Sequence, residues 1–398
     1  MKLLTVLLPG AWCRSMAHPW PASPNLRRSA ACAPWRRLAL SALACAGFAL
    51  SGARAAEPAE WLAGADVSSL ATLEQHGAVY REGRRAGDAL AILRDRGVNC
   101  FRLRLFVAPN GEAVVTNDLA YTVALAKRVK ATGAKLLLDV HYSDTWADPA
   151  KQFKPAAWSA LPFLELVATV QTYTTATLQA FVRDGVAPDF VQLGNEITNG
   201  LLWPDGRVEF ATRAEAADWS RLGELLRAAH AGLDAAFPAG GRPRSILHIE
   251  SPHQLERALW FCREATAARV PFDMVGVSYY PEWHEGLPQL RRALDELART
   301  FGKPVLVVET AYPWKNDEHW QSRPHLAWPL TPAGQKRFVR DVVDAVRATP
   351  GGLGAGVFYW NPEGVPVRDL GAWVGGSCSL FGDSGRVLPA ASELSRSR

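Results

Sequence analysis

From residue 61 onward the chain repeats one pattern eight times, a short apolar run followed by an amphipathic stretch. The runs are WLAGADVS (61–68), VNCFRLRLFV (98–107), AKLLLDVHYS (134–143), DFVQLGNEI (189–197), RSILHIES (244–251), FDMVGVSYY (272–280), PVLVVETA (304–311) and LGAGVFYWNP (353–362). Stretches such as DLAYTVALAKRVKATG and AGQKRFVRDVVDAVRATP lie between them, with apolar residues three and four apart as one face of a helix requires. The first of these closes at Gly133, just before the next run. Eight alternating units over about 300 residues predict an α/β chain folded as a single (β/α)8 TIM barrel spanning 57–398. A doubly wound open sheet is the alternative; it needs fewer units, and no GxGxxG follows the first run.

The ends of two runs carry a cost. FVQLGNEITNG takes Glu196 to the end of a buried strand beside Asn195, and PVLVVETAYP does the same with Glu309. A carboxylate there is expensive unless it is paired, hydrogen-bonded or used. Asp66, Arg104, Asp139, His141, Asn195, His248, Glu250, Tyr279, Tyr280 and Trp360 also fall at or near the C-terminal ends of their runs. That is the face on which barrels of this kind build their sites. A structural ring of salt bridges would account for the Arg and Glu residues but not for His141, Tyr279 and Trp360. Alternation along CFRLRLF puts Phe101, Leu103 and Leu105 on one face, so Arg102 and Arg104 point inward, where each needs a carboxylate. Asp139 and His141 share one parity in the same way.

Two glutamates facing one another across a barrel mouth suit the hydrolysis of a glycosidic bond. One carboxyl protonates the leaving oxygen; the other, ionised, attacks the anomeric carbon or activates water. Their surroundings must then differ. Glu196, beside a neutral amide, is expected to keep its proton as the general acid. Glu309, beside an inward arginine such as Arg104 and a tyrosine hydroxyl from SYYP, is expected to be the ionised nucleophile. Trp146, Trp203, Trp283, Trp314 and Trp360 each follow a run within a few residues, which predicts an aromatic rim on which sugar rings could stack. No GxSxG, HExxH, P-loop or EF-hand pattern is present.

The formal charge of +5 misleads, because residues 1–56 hold seven basic residues and no acid, leaving 37 Lys and Arg against 39 Asp and Glu, a charge of −2. Nothing in that balance points to nucleic acid or an anionic membrane. Arg36 and Arg37 precede an apolar segment and the small-residue sequence ARAAEP, which reads as an export leader cleaved near Ala55 and delivering the chain to the periplasm or beyond. The segment is too short and alanine-rich for a membrane span. Of six cysteines, Cys100, Cys262 and Cys378 lie outside the leader, far apart, and are expected to be buried small hydrophobes.

GADVSSL, GVNCFRLRLFVAPNG, LDVHYSDTWADPAKQFKPAAW, PDFVQLGNEITNGLLWPDG, VSYYPEWHEGL, GKPVLVVETAYPW and FYWNPEG together resemble glycoside hydrolase family 53, over about residues 61–389. The family comprises the arabinogalactan endo-β-1,4-galactanases, retaining enzymes on a (β/α)8 barrel. The resemblance implies Glu196 as acid/base and Glu309 as nucleophile, about 5–5.5 Å apart. It also implies that Asp66, Arg104, Asp139, His141, Trp146, Asn195, Tyr279 and Trp360 bind substrate, a β-1,4-galactan polysaccharide. No cofactor or metal is implied at the site; some bacterial members bind a structural calcium, and no acidic cluster here supports one. The mature chain is expected to be a monomer. Two departures stand out: HIESPHQ after the fifth strand, where family members carry an Asn- or Asp-containing loop, and WNPEG, where Asn361 takes the place of a Glu. The alternatives are another endo-glycanase of the same clan, a β-mannanase or cellulase, and a barrel that binds carbohydrate without cutting it.

Overall fold

The computed structural model describes residues 60–210, 219–250, 252–321, 323 and 326–396. The export leader expected over residues 1–56 lies outside the described residues. Eight strands form a closed, wholly parallel barrel: β1 (Leu62–Asp66), β2 (Cys100–Leu105), β3 (Lys135–Val140), β4 (Phe190–Leu193), β5 (Arg244–Ile249), β6 (Met274–Tyr279), β7 (Val305–Thr310) and β8 (Gly354–Trp360). Each pairs with its neighbours in sequence, and β8 closes on β1 through Leu62↔Gly356 to Asp66↔Trp360. All eight lie within the runs read from the sequence. The helices between them follow the same signals. The helix Leu119–Ala131 begins at Asp118, whose carboxylate accepts from the Tyr121 N–H, and ends before Gly133 with φ of 74°, a conformation glycine adopts without strain. The helix Pro332–Arg347 is capped by Thr331 on the Gly334 N–H.

The barrel interior is layered. At its base Leu62, Cys100, Leu137, Phe190, Ile246, Met274, Leu306, Val308 and Phe358 form one apolar cluster, separate from the larger core between strands and helices. Gly64 on β1 makes room for Phe358, since a Cβ there would stand 2.1 Å from the ring. Above this layer the inward positions turn polar: Asp66, Arg102, Asp139, Gln192, His248, Ser278 and Glu309, all buried. Register holds these groups level, pairing Asp66 with Arg102, Arg104 with Asp139, and Asp139 with Gln192.

One strand breaks the alternation. Between β6 and β7 the pairing passes from Val277↔Val307 directly to Ser278↔Glu309, leaving Val308 as an extra residue, and β7 skips again against β8. Val308 packs in the interior cluster, yet the next residue, Glu309, also reaches an interior group, Arg102. This β-bulge turns Glu309 inward, where unbroken alternation would have put it outside with Val305 and Val307.

Cys100, Cys262 and Cys378 are buried and unbridged, as small core residues. Among the described residues no helix is long and apolar enough to cross a membrane. The chain end packs back on the barrel: Trp61 Nε1 donates to the Leu394 carbonyl, and Glu393 pairs with Arg340 and Lys336.

The packing at Gly64 gives a direct test. Gly64→Ala should lower stability by about 1–3 kcal/mol, the usual cost of overpacking, and Phe358→Leu in the same chain should recover part of the loss. Urea unfolding of the three variants measures this; an unchanged midpoint for Gly64→Ala would show that the barrel interior has slack there.

Candidate active site

Arg102 stands at the centre of the polar layer, 1% exposed. Its Nη1 donates to Asp66 Oδ2 at 2.7 Å. Its Nη2 lies 2.8 Å from Asp139 Oδ2, Glu309 Oε1 and Asn195 Oδ1, and its Nε donates to Gln192 Oε1 at 2.7 Å. One cation thus faces three buried carboxylates. Burial would lower the Arg102 pKa, but Asp139, Glu309 and Asp66 together raise it, so it stays charged. Asp139 feels burial pushing it up, yet Arg102 and His141 hold it at about 2. His141 Nε2 sits 2.9 Å from that carboxylate, and its Nδ1 accepts from the Ala147 N–H.

The arginine expected beside Glu309 is therefore Arg102, not Arg104. Arg104 lies two residues further up the strand. It donates to Ser69 Oγ and the Val114 carbonyl and lays its guanidinium 4.3 Å from the centre of the Trp146 ring. Asp66 and Asp139 belong to the supporting layer beneath the cleft; Asp66 reaches it through Arg102, and Asp139 through Arg102 and His141. Tyr279 is a correction: its ring stacks on Phe338 outside the barrel and its hydroxyl donates to the Glu285 carbonyl. The hydroxyl beside Glu309 is that of Tyr280, 3.0 Å from Oε2. The parity that makes Ser278 inward makes Tyr280 inward too, so the sequence contained this signal.

Glu196 lies three residues beyond β4 in a left-handed conformation, φ 49° and ψ 49°, which costs a non-glycine residue about 1–2 kcal/mol. Its Oε1 takes a hydrogen bond of 2.5 Å from Ser278 Oγ. Ser278 in turn lies 2.9 Å from His248 Nε2, while His248 Nδ1 receives the Gln192 amide and the Glu196 N–H. Two donors on Nδ1 fix the imidazole as the neutral Nε2–H form, in line with a pKa held well below its usual value by burial and by Arg102. With Gln192 oriented by Arg102, the chain runs Arg102, Gln192, His248, Ser278, Glu196. Since Ser278 donates to Oε1, a proton on Glu196 belongs on Oε2, towards the cleft.

The two carboxyls ionise unequally. Burial and then the charge of Glu309 push Glu196 well above the ordinary range, and among the described residues no cation pairs with it. Burial also lifts Glu309, to about 7, but Arg102 and the Tyr280 hydroxyl favour its charged form. Glu309 therefore ionises first and Glu196 keeps its proton longer.

Both line a cleft of about 990 Å³ at the C-terminal mouth of the barrel. Its wall is a run of aromatic contacts: Trp146 against Trp360 with ring centres 6.0 Å apart, Trp360 against Trp373 at 4.8 Å, Trp373 against Tyr280 at 6.1 Å, and Tyr280 against Trp283 at 5.4 Å. Trp203 and Trp314, expected on this rim, turn away to bond the carbonyls of Asn199 and Gly376. Trp373 was missed, lying 13 positions beyond the end of β8 with no strand to point to it. Asn195 is held under the cleft by Arg102 and by the Ala147 carbonyl.

A carboxyl that holds a proton, a second that gives one up readily, and a wall of aromatic rings beside them can bind a sugar chain and break an acetal. These features, on a (β/α)8 barrel, define a glycoside hydrolase. The sequence model of glycosyl hydrolase family 53 matches residues 62–394. A Niallia circulans protein described as an uncharacterized protein in the bgaB 5' region is 40% identical over 84% of this chain and 93% of its own length. An arabinogalactan endo-beta-1,4-galactanase of Cellvibrio japonicus is 35% identical over 85% of this chain and 90% of its own. The solved GH53 catalytic domain of Ignisphaera aggregans superposes with a TM-score of 0.77 at 31% identity, covering 84% of this chain and 95% of that one. The chain belongs to glycosyl hydrolase family 53.

Arg102→Met would leave Asp66, Asp139 and Glu309 buried without their cation. The expected loss is about 3–5 kcal/mol at pH 7. In that variant the carboxyls' folded pKa values rise above the unfolded ones, so the deficit should shrink as pH falls towards 4 and grow as pH rises. Urea titrations across that range measure it, and a deficit independent of pH would show that Arg102 acts by packing alone.

Proposed function

We propose that the chain is an endo-β-1,4-galactanase working by a retaining double displacement, with Glu196 as general acid/base and Glu309 as nucleophile. The unequal surroundings of the two carboxyls carry this reading: Glu309 is bound by Arg102 and Tyr280, whereas among the described residues the Glu196 carboxyl is bonded by the Ser278 hydroxyl alone. A galactan chain lies along the aromatic wall with its scissile bond between the two glutamates. Glu309 attacks the anomeric carbon while Glu196 Oε2 gives its proton to the departing oxygen. The glycosyl ester then forms on Glu309, and Arg102 loses a carboxylate partner as its charge is consumed. Glu196, now ionised, takes a proton from water, which attacks the same carbon, breaks the ester bond to release Glu309 as a carboxylate, and restores the β configuration. The negative charge transferred from Glu309 to Glu196 in the first step stays inside one hydrogen-bonded layer.

The preference for galactan rests on the names carried by the Cellvibrio relative and by similar proteins. Mannan and cellulose remain the comparisons of interest, because rim residues and not the glutamates choose the sugar. Residues 57–398 act as one catalytic domain and as a monomer, exported after cleavage near Ala55; the small-x-small sequence ending in Ala55 supports that reading.

Reducing-end release from debranched β-1,4-galactan should be rapid and yield short oligosaccharides, with β-mannan and cellulose untouched. Glu196→Gln and Glu309→Gln should each lose at least about 10³-fold in kcat on galactan. On an activated aryl β-galactobioside with azide, Glu309→Ala should give the α-azide and Glu196→Ala the β-azide. The same anomer from both would sink the assignment of roles.

The pH profile of kcat/KM should be bell-shaped, its acid limb reporting the first proton lost by the pair and its alkaline limb the second. Tyr280→Phe removes a donor that favours ionised Glu309, so the acid limb should move up by roughly 0.5–1 unit; Ser278→Ala should move the alkaline limb up similarly. Limbs that stay in place would disconnect these hydroxyls from the titrating pair.

A further inference from the structure

The turn that follows Glu196 is tied down from outside the catalytic layer, at the end of β5. Thr198, two residues beyond Glu196 and fully buried, makes a reciprocal pair with Glu250: its hydroxyl accepts from the Glu250 N–H at 3.1 Å and donates to Glu250 Oε2 in a short hydrogen bond. The next residue, Asn199, receives Arg257 Nη2 on its side-chain oxygen and donates its own amide to the Pro149 carbonyl. Arg257 Nη1 turns to Gln254 and stays 3.9 Å from Glu250 Oε1, outside hydrogen-bond distance. Glu250 Oε1 thus takes no hydrogen bond among the described residues, and Glu250 lines the cleft together with Glu196.

Two physical consequences follow. A left-handed glutamate relaxes unless the residues after it are fixed, and here Thr198 and Asn199 are fixed by Glu250 and Arg257. A third carboxylate is also held in the cleft on Glu196's flank, across from Glu309. Glu250 falls in HIESPHQ, the loop where the sequence departs from the pattern it otherwise resembles. We propose that Glu250 is a positioning residue for Glu196: through Thr198 it holds the acid in its left-handed turn, and its charge loads the leaving-group side of the cleft. The proposal rests on Glu196 being the general acid.

The geometry separates the two actions. Glu250→Gln keeps an oxygen for the Thr198 hydroxyl and removes only the charge. Thr198→Val removes the clamp and leaves the charge in place. The charge of Glu250 contributes to holding the proton on Glu196, after the larger effects of burial and Glu309. Besides Glu250, Glu196 faces Glu309, Asp148, His248 and Ser278, and these are unchanged in both variants.

The test uses galactan and a 2,4-dinitrophenyl β-galactobioside, whose leaving group departs without a proton. Thr198→Val should lose about tenfold or more in kcat/KM on galactan and less than about twofold on the aryl substrate, a split that a misplaced acid produces. Thr198→Ser, which restores the hydroxyl, should recover galactan activity. Glu250→Gln should keep most of its activity and move the alkaline limb of the galactan pH profile down by about 0.5 unit. Equal losses on both substrates, or an alkaline limb unmoved in Glu250→Gln, would overturn the proposal. Thermal unfolding of each variant identifies a loss caused by misfolding, and Thr198→Ser then carries the test. Glu196→Gln measured alongside separates the two readings: if it still cleaves galactan, the acid assignment itself fails.

Discussion

The structure depends on a single guanidinium buried at the floor of the cleft. Arg102 binds three carboxylates, an amide oxygen and a glutamine, so almost every polar group of the interior layer is oriented by it directly or through one neighbour. A lysine could not replace it, because the contacts leave the guanidinium plane in three directions and one ammonium cannot serve all of them. The layer is also short of positive charge. That deficit is why Glu309 remains raised to about 7 despite a 2.8 Å ion pair: burial, Asp139 and Asp66 offset much of what the arginine gives. A carboxylate paired alone with Arg102 would be a weaker base and a weaker nucleophile; the shared cation keeps it ionised and still reactive.

The same arginine acts on Glu196 at a distance. It sets the Gln192 amide, which sets the His248 tautomer, which makes Ser278 a donor to one oxygen of Glu196 and leaves the proton on the other. Direct contact therefore favours the charged carboxyl, and a chain of neutral hydrogen bonds aims the protonated one. The aromatic wall completes the division of labour: it supplies area without charge, so the ionisation of the two glutamates is governed by the layer beneath them.

Much of this could be read from the residues. The eight strands, the end of one helix at Gly133, and the two glutamates at strand ends all follow from periodicity, from glycine's place at helix ends and from the cost of burying charge. Depth was harder. Arg102 and Arg104 share parity, and alternation alone does not say which one reaches Glu309; the bonds of the Arg102 guanidinium to Asp66 and Asp139 do, and they exist only once the barrel closes. Tyr279 and Tyr280 were distinguishable by counting from Ser278. Ser278 itself was not, since a small hydroxyl in an apolar strand looks like packing. Trp373 reaches the cleft from a distant loop, which no local pattern marks.

The bulge at Val308 gives β7 one residue more than its neighbours spend over the same height of barrel. That surplus residue works as a half-turn of the strand. Everything before it faces as an ordinary strand would, and the residue after it is rotated from the helix side to the interior. The carboxylate beside Arg102 is thus set by chain length as much as by chemistry: were Val308 taken into the ladder as an ordinary paired residue, the same glutamate in the same segment would look outward into the helical shell, with its arginine left behind.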